Sequence, residues 1–152
     1  MKELTGSAAA TTDATPEQAL ALLEEIDRYP SWHPEVVKEA EVLERDAQGH
    51  PAKARCKLRL EHGPLRRDFN LLMRVKIDPS GMIDLSRIPH EPSDPERFEV
   101  TWRVDRGNPS TRIRLDLEAK LSVPRLVPLG GVGDSLAASF LSAATRALAT
   151  PW

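Results

Sequence analysis

Four histidines and one cysteine are the side chains of this 152-residue sequence best suited to acid–base, nucleophilic or metal chemistry near neutral pH. His33 has the most concentrated setting, in the stretch IDRYPSWHPEVV (26–37), beside Trp32 and between Pro30 and Pro34. A catalytic histidine needs a hydrogen-bond partner, and no spacing in the sequence supplies one. His50, His62 and His90 each adjoin Gly or Pro and read as solvated loop side chains. Glu35, Glu61 and Glu91 lie close to His33, His62 and His90, but none has the i, i+4 spacing that puts two ligands on one helical face. No metal site is expected.

Cys56 falls among Ala54 and Leu58 on the apolar side of an alternating segment, where a buried thiol has a raised pKa and is a poor nucleophile. As the sole cysteine it forms no internal disulfide, which suits a reducing cytoplasm. The stretch PLGGVGDSLA (128–137) is glycine-rich but lacks the lysine of a phosphate-binding loop, so it reads as the approach to a last helix capped by Asp134 or Ser135. No cofactor is expected.

The elements that hold these side chains follow from periodicity. In DATPEQALALLEEI, Asp13 or Thr15 is placed to cap a helix, Pro16 suits its first position, and Ala19, Leu22, Leu23 and Ile26 form its apolar face. Pro30 is expected to end that helix, with Ser31 capping a short second turn and Trp32 at the corner. The period then becomes two. PAKARCKLRLE points Ala52, Ala54, Cys56, Leu58 and Leu60 inward, and RRDFNLLMRVKI does the same with Phe69, Leu71, Met73, Val75 and Ile77. MIDLSRI, RFEVTWRVD (Phe98, Val100, Trp102, Val104) and TRIRLDLEAKL (Ile113 to Leu121) continue the alternation, while KEAEVLE and the N-terminal segment are weaker strands. From about Gly133 one long helix carries the stripe Leu136, Phe140, Ala143/Ala144 and Ala147/Leu148.

Composition narrows the function. Net charge is −2, with eleven acids against four Lys/Arg in residues 1–50 and eight Lys/Arg against Glu61 and Asp68 in residues 53–76. One outer sheet face is therefore basic in part, and cross-strand pairing with acids such as Glu99, Asp116 and Glu118 is expected to neutralise it. Without interleaved aromatics it offers no base-stacking surface, so nucleic acid is not an expected partner. No run approaches the 18 or so apolar residues of a membrane-spanning helix. The inward faces hold almost no polar group; Arg67 and Arg87 alone among charged residues have a strand phase that turns them inward.

The order strand, helix, short helix, about six antiparallel strands and long C-terminal helix resembles the helix-grip fold of the START and polyketide-cyclase (SRPBCC) superfamily. TPEQALALLEEIDRYPSWHPEVVKEAEVLERDAQG is similar to the superfamily's opening helix and proline–aromatic corner, and FEVTWRVDRGNPSTRIRLDLEAKL to its penultimate strand pair. The resemblance covers almost the whole chain, in the coenzyme Q-binding and cyclase-like branch of bacterial proteins. It implies an α+β fold in one domain over 1–152: a curved antiparallel sheet of six to seven strands around the last helix, with two short helices after the first strand. It also implies an apolar cavity for a hydrophobic small molecule such as a lipid, quinone or polyketide. Trp32, Arg67, Phe69, Met73, Phe98, Trp102, Leu136 and Phe140 are the candidate ligand contacts, Trp32 acting as a lid or a plug. No catalytic residue is assigned. The rival readings are a polyketide cyclase/dehydratase-type enzyme and a protein-binding module using the basic sheet face; a homodimer is left open.

Overall fold

The protein is described by a computed structural model covering residues 2–62, 65–107, 110–121 and 131–149. The expected turn at 63–64 and the first three residues of PLGGVGDSLA lie outside the described residues. Seven strands form one antiparallel sheet: β1 (Lys2–Thr12), β2 (Val37–Arg45), β3 (Pro51–His62), β4 (Leu65–Asp78), β5 (Met82–Arg87), β6 (Arg97–Arg106) and β7 (Thr111–Leu121). Their order is β1-β7-β6-β5-β4-β3-β2, so β2 to β7 form a meander and β1 closes it on the far edge. The connection from β1 to β2 crosses the concave side through α1 (Pro16–Glu24), a 3-10 turn (Ile26–Arg28) and α2 (Tyr29–Trp32). The long helix α3 (Val132–Ala149) lies in the grip of the sheet. This is the helix-grip fold.

The alternation read from the sequence sets the faces. Cys56, Leu58, Phe69, Leu71, Met73, Phe98, Trp102, Ile113, Leu115 and Leu117 are all buried, and the charged residues between them point to the convex face. The pattern slips at the start of β3, where Pro51 rather than Ala52 is buried, and along β2 beside it, whose register shifts between Val37 and Glu39, Val42 and Glu44, and Glu44 and Arg45.

Small residues decide where α3 sits. A Cβ on Gly133 would lie 2.0 Å from the Thr5 carbonyl oxygen, and one on Gly6 would lie 2.1 Å from Gly133 C and O. Only glycine at both positions lets helix and strand meet backbone to backbone. Ala8 and Ala10 continue the shallow inner face of β1, and Ala137 and Ala144 answer from α3. The helix therefore leans toward the β1 edge and leaves the space over β3 to β6 to larger side chains.

Local chemistry corrects several expectations. Thr15 caps α1: its Oγ1 accepts from Gln18 N–H at 3.1 Å while Gln18 Oε1 accepts from Thr15 N–H at 2.9 Å. Pro30 does not end α1; it occupies the first turn of α2, where a missing N–H costs nothing. Ser31 is not a cap either, its hydroxyl donating to Arg28 O at 2.6 Å. Asp134 lies in the first turn of α3, and its carboxylate accepts from Ser7 N–H on β1 at 3.1 Å, adding a second tie at the glycine contact. On the convex face the basic residues of β3 pair with their immediate neighbours, Arg59 with Asp68 at 2.8 Å and Lys57 with Glu39 and Asp68 at 3.9 Å each. Glu99, Asp116 and Glu118 lie on β6 and β7, beyond side-chain reach of β3, and Glu99 stands directly opposite Glu118.

Candidate functional site

The grip of the sheet on α3 encloses an apolar cavity of about 40 Å³. Its floor is β3 to β6, through Cys56, Leu58, Leu71, Met73, Leu85, Phe98, Val100 and Trp102; its roof is Ile26, Tyr29, Val37 and Phe140. A cavity of about 10–15 Å³ already holds a water, whereas organic ligands occupy roughly 300–1,000 Å³. The large inward side chains thus fill most of the interior.

The wall has little reactive capacity. The Tyr29 hydroxyl donates to Leu23 O at 2.6 Å, closing the end of α1, and burial pushes its pKa well above the ordinary value, with Cys56 adding to the shift. Burial likewise pushes the Cys56 thiol up to about 12. The indole N–H of Trp102, a residue 1% exposed, has no partner in good hydrogen-bond geometry, though it lies close enough to the Tyr29 hydroxyl to offset part of the Tyr29 shift. Among the described residues no three His, Cys, Asp or Glu side chains cluster as metal ligands would.

The eight candidate contacts divide. Met73, Phe98, Trp102 and Phe140 line the cavity. Phe69 and Leu136 are buried but do not reach it. Arg67 has the inward phase, yet it is exposed and its guanidinium lies over the Phe69 ring, 4.9 Å from the centroid. Arg87 does turn in, with a side chain only 4% exposed, and is consumed by Asp94 at 2.7 Å and by Glu96 O at 2.9 Å. Trp32 does not line this cavity but packs on the core beside it. It ends α2, packs on Tyr29 with centroids 4.8 Å apart, and borders an outer groove of about 530 Å³ that α2 and the following loop form with α3. The break at Asp27 to Pro30 turns it outward and sends Tyr29 in.

His33 is the residue whose surroundings the structure adds most to. It is 3% exposed, its ring stacked on Trp32 and set edge-on to Phe140 with centroids 4.6 Å apart. Its Nε2 lies 3.2 Å from Ser139 Oγ on α3. The partner is 106 residues away in sequence, so no local spacing points to it. Burial lowers the His33 pKa, Glu35 opposes that shift and Arg146 adds to it, so the ring is neutral at pH 7. Ser139 lies mid-helix, where the backbone N–H groups are spent on the helix itself. The aromatic series Trp32, His33, Phe140 and Trp102 runs from groove to cavity, its last pair 6.3 Å apart. Tyr29 and His33 were the side chains hardest to place from sequence, because each owes its position to the kinked corner.

This architecture, a sheet closed on a terminal helix over an apolar interior, defines the START/polyketide cyclase superfamily. The profile of the family described as polyketide cyclase / dehydrase and lipid transport matches residues 12–145, and the chain belongs to that family. It is similar in structure to a START superfamily protein from Mycobacterium smegmatis, at 20% identity and TM-score 0.71 over 95% of this chain and 93% of that one. It is also similar to a STAR-related lipid transfer protein from Xanthomonas axonopodis, at 15% identity and TM-score 0.66 over 95% and 85%. The di-domain ARO/CYC protein BexL of the BE-7585A biosynthetic pathway matches at 10% identity and TM-score 0.66, over 99% of this chain and 51% of that one. No curated protein sequence matches.

Proposed function

We propose that this protein binds a hydrophobic small molecule between the sheet and α3. The observation that carries the reading is the entirely apolar surface of the interior cavity. Burial of ligand at about 25 cal/mol per Å² of apolar surface supplies the driving force, and displacement of side chains from a space of 40 Å³ sets its cost. The lipid transfer named for the Xanthomonas relative supports the same reading. Met73, Phe98, Trp102 and Phe140 are the proposed contacts.

The cyclase named for another relative asks for acid–base groups beside the substrate. Here the Tyr29 hydroxyl is committed to a backbone carbonyl and the Cys56 thiol is held protonated, which favours binding over catalysis. Cys56, buried and reduced, suits residence in the cytoplasm.

The test is titration of the folded protein with Nile red, a neutral apolar dye. One saturable site is expected, weakened by Phe140→Trp. A native protein that binds no such dye would refute the reading.

A further inference from the structure

The groove beside Trp32 measures about 530 Å³, against about 40 Å³ for the interior cavity. It falls within the roughly 300–1,000 Å³ of small-molecule sites, so it admits a ligand without displacing a side chain. Its shape follows from the corner sequence. The short helical pieces bring Leu22, Arg28, Trp32 and Pro34 to one side. From the other side α3 presents Ala143 and Ala147, one turn apart, whose single methyl groups leave the gap open.

Trp32 is the aromatic wall. The residue is half-buried, yet its indole Nε1 is shut off from solvent and has no hydrogen-bond partner among the described residues, so what it shows outside is ring carbon. The ring is braced by its neighbours, stacked on His33 with 15° between planes and tilted on Tyr29 at 4.8 Å. His33 is held in turn by Ser139 at 3.2 Å and by the edge of Phe140. A flat ligand laid on Trp32 therefore meets a surface already in place, which spares binding the cost of ordering it.

Charge at the rim selects the ligand. Arg28 and Arg146 line the groove with Glu35 as the one carboxylate of the lining, two positive charges against one negative. Arg146 Nε donates to Ser142 O at 3.3 Å, which lays its guanidinium along α3. Arg28 is exposed and has no ion-pair partner among the described residues.

We propose that this groove is a second ligand site, specific for a small aromatic acid: a planar apolar body on Trp32 against the alanines of α3, with one anionic group toward Arg28 and Arg146. The site is separate from the interior and stands whether or not the interior takes a ligand. Charge tells the two apart, because a carboxylate in the cavity would face a wholly apolar wall with no ionic partner.

The experiment is titration of the full chain with 2-naphthoate at pH 7.5, followed in ¹H–¹⁵N spectra of the tryptophan indole groups, with the neutral 2-naphthalenemethanol in parallel. The Trp32 signal is expected to shift and saturate at one naphthoate per chain, while Trp102, in the cavity wall, stays in place. The alcohol is expected to bind about threefold to fivefold more weakly, the factor of one solvent-exposed ion pair. Arg28→Gln should weaken naphthoate by the same factor and leave the alcohol unchanged. Ala147→Leu should fill the groove and abolish naphthoate binding, with a circular-dichroism melt confirming the fold and Nile red uptake unaltered. Naphthoate that moves Trp102 and leaves Trp32 in place, equal affinity for acid and alcohol, or binding that survives Ala147→Leu would overturn the site. A Trp32 signal that shifts with protein concentration alone would assign the groove to a second copy of the chain and overturn it equally.

Discussion

Substituting Gly133 by alanine is expected to unseat α3. The added Cβ would lie 2.0 Å from Thr5 O and 2.5 Å from Thr5 C, where ordinary contact begins at 3.4 Å. The atoms it meets are backbone of β1, paired with β7 through Thr5↔Glu118 and Gly6↔Leu117, so they cannot turn aside as a side chain would. Forced overpacking of this kind costs about 1–3 kcal/mol, and alanine's helix propensity returns at most about 1 kcal/mol. Taking the upper part of that range, a net loss of about 1–2 kcal/mol lowers the melting temperature by about 2–8 °C in a domain of this size. Gly6→Ala meets the same wall from the other side, 2.1 Å from Gly133 C and O. Once α3 has lifted for one methyl the second is partly accommodated, so the double variant is expected to lose less than the two singles together. Circular-dichroism melts and urea titrations of the four proteins measure both effects. A Gly133→Ala protein as stable as the wild type, or fully additive losses, would refute the anchor.

Phe140→Ala should cost about 3–5 kcal/mol of stability while enlarging the cavity and tightening Nile red binding; a dye titration beside a urea curve measures both. Cys56, with its thiol pushed up to about 12, should resist alkylation in the native protein at pH 8 and react on unfolding, followed by mass spectrometry. Asp94 is held at about 2, chiefly by the Arg87 hydrogen bond and then by the Glu96 and His90 backbone N–H groups. Its folded pKa lies below the unfolded value of 3.8, so its contribution is complete above that pH and is lost as pH falls toward 2. Asp94→Asn should therefore destabilise at pH 7, with the difference from wild type closing across that acid range.

The sheet was legible because a half-buried strand writes its faces as a two-residue alternation, and in β4, β6 and β7 the inward sets Phe69–Val75, Phe98–Val104 and Ile113–Leu121 needed nothing else. The stripe of α3 was legible for the matching reason at 3.6 residues. The corner at 26–37 was not, because three short helical pieces with two prolines have no period, and a one-residue difference in where each turn ends exchanges inside for outside. Tyr29 went in where Trp32 was expected. The Gly6–Gly133 approach and the His33–Ser139 contact join residues over a hundred positions apart, and neither leaves a local trace. Cavity size is a difference between packed volumes, so the same apolar residues that marked an interior for a ligand could not say how much of it they fill.

The ligand site itself is tested most directly by the methionine methyl signals. The sequence has three methionines; Met73 lies in the cavity wall at 3% exposure, and Met82 sits half-buried on the opposite phase of β5. In protein labelled with ¹³C at the methionine methyl groups, titration with Nile red is expected to shift the Met73 signal and saturate at one dye per chain, while Met82 stays in place. Dye binding that moves Met82 and leaves Met73 unmoved, or a folded protein in which neither signal responds, would contradict a ligand site between the sheet and α3.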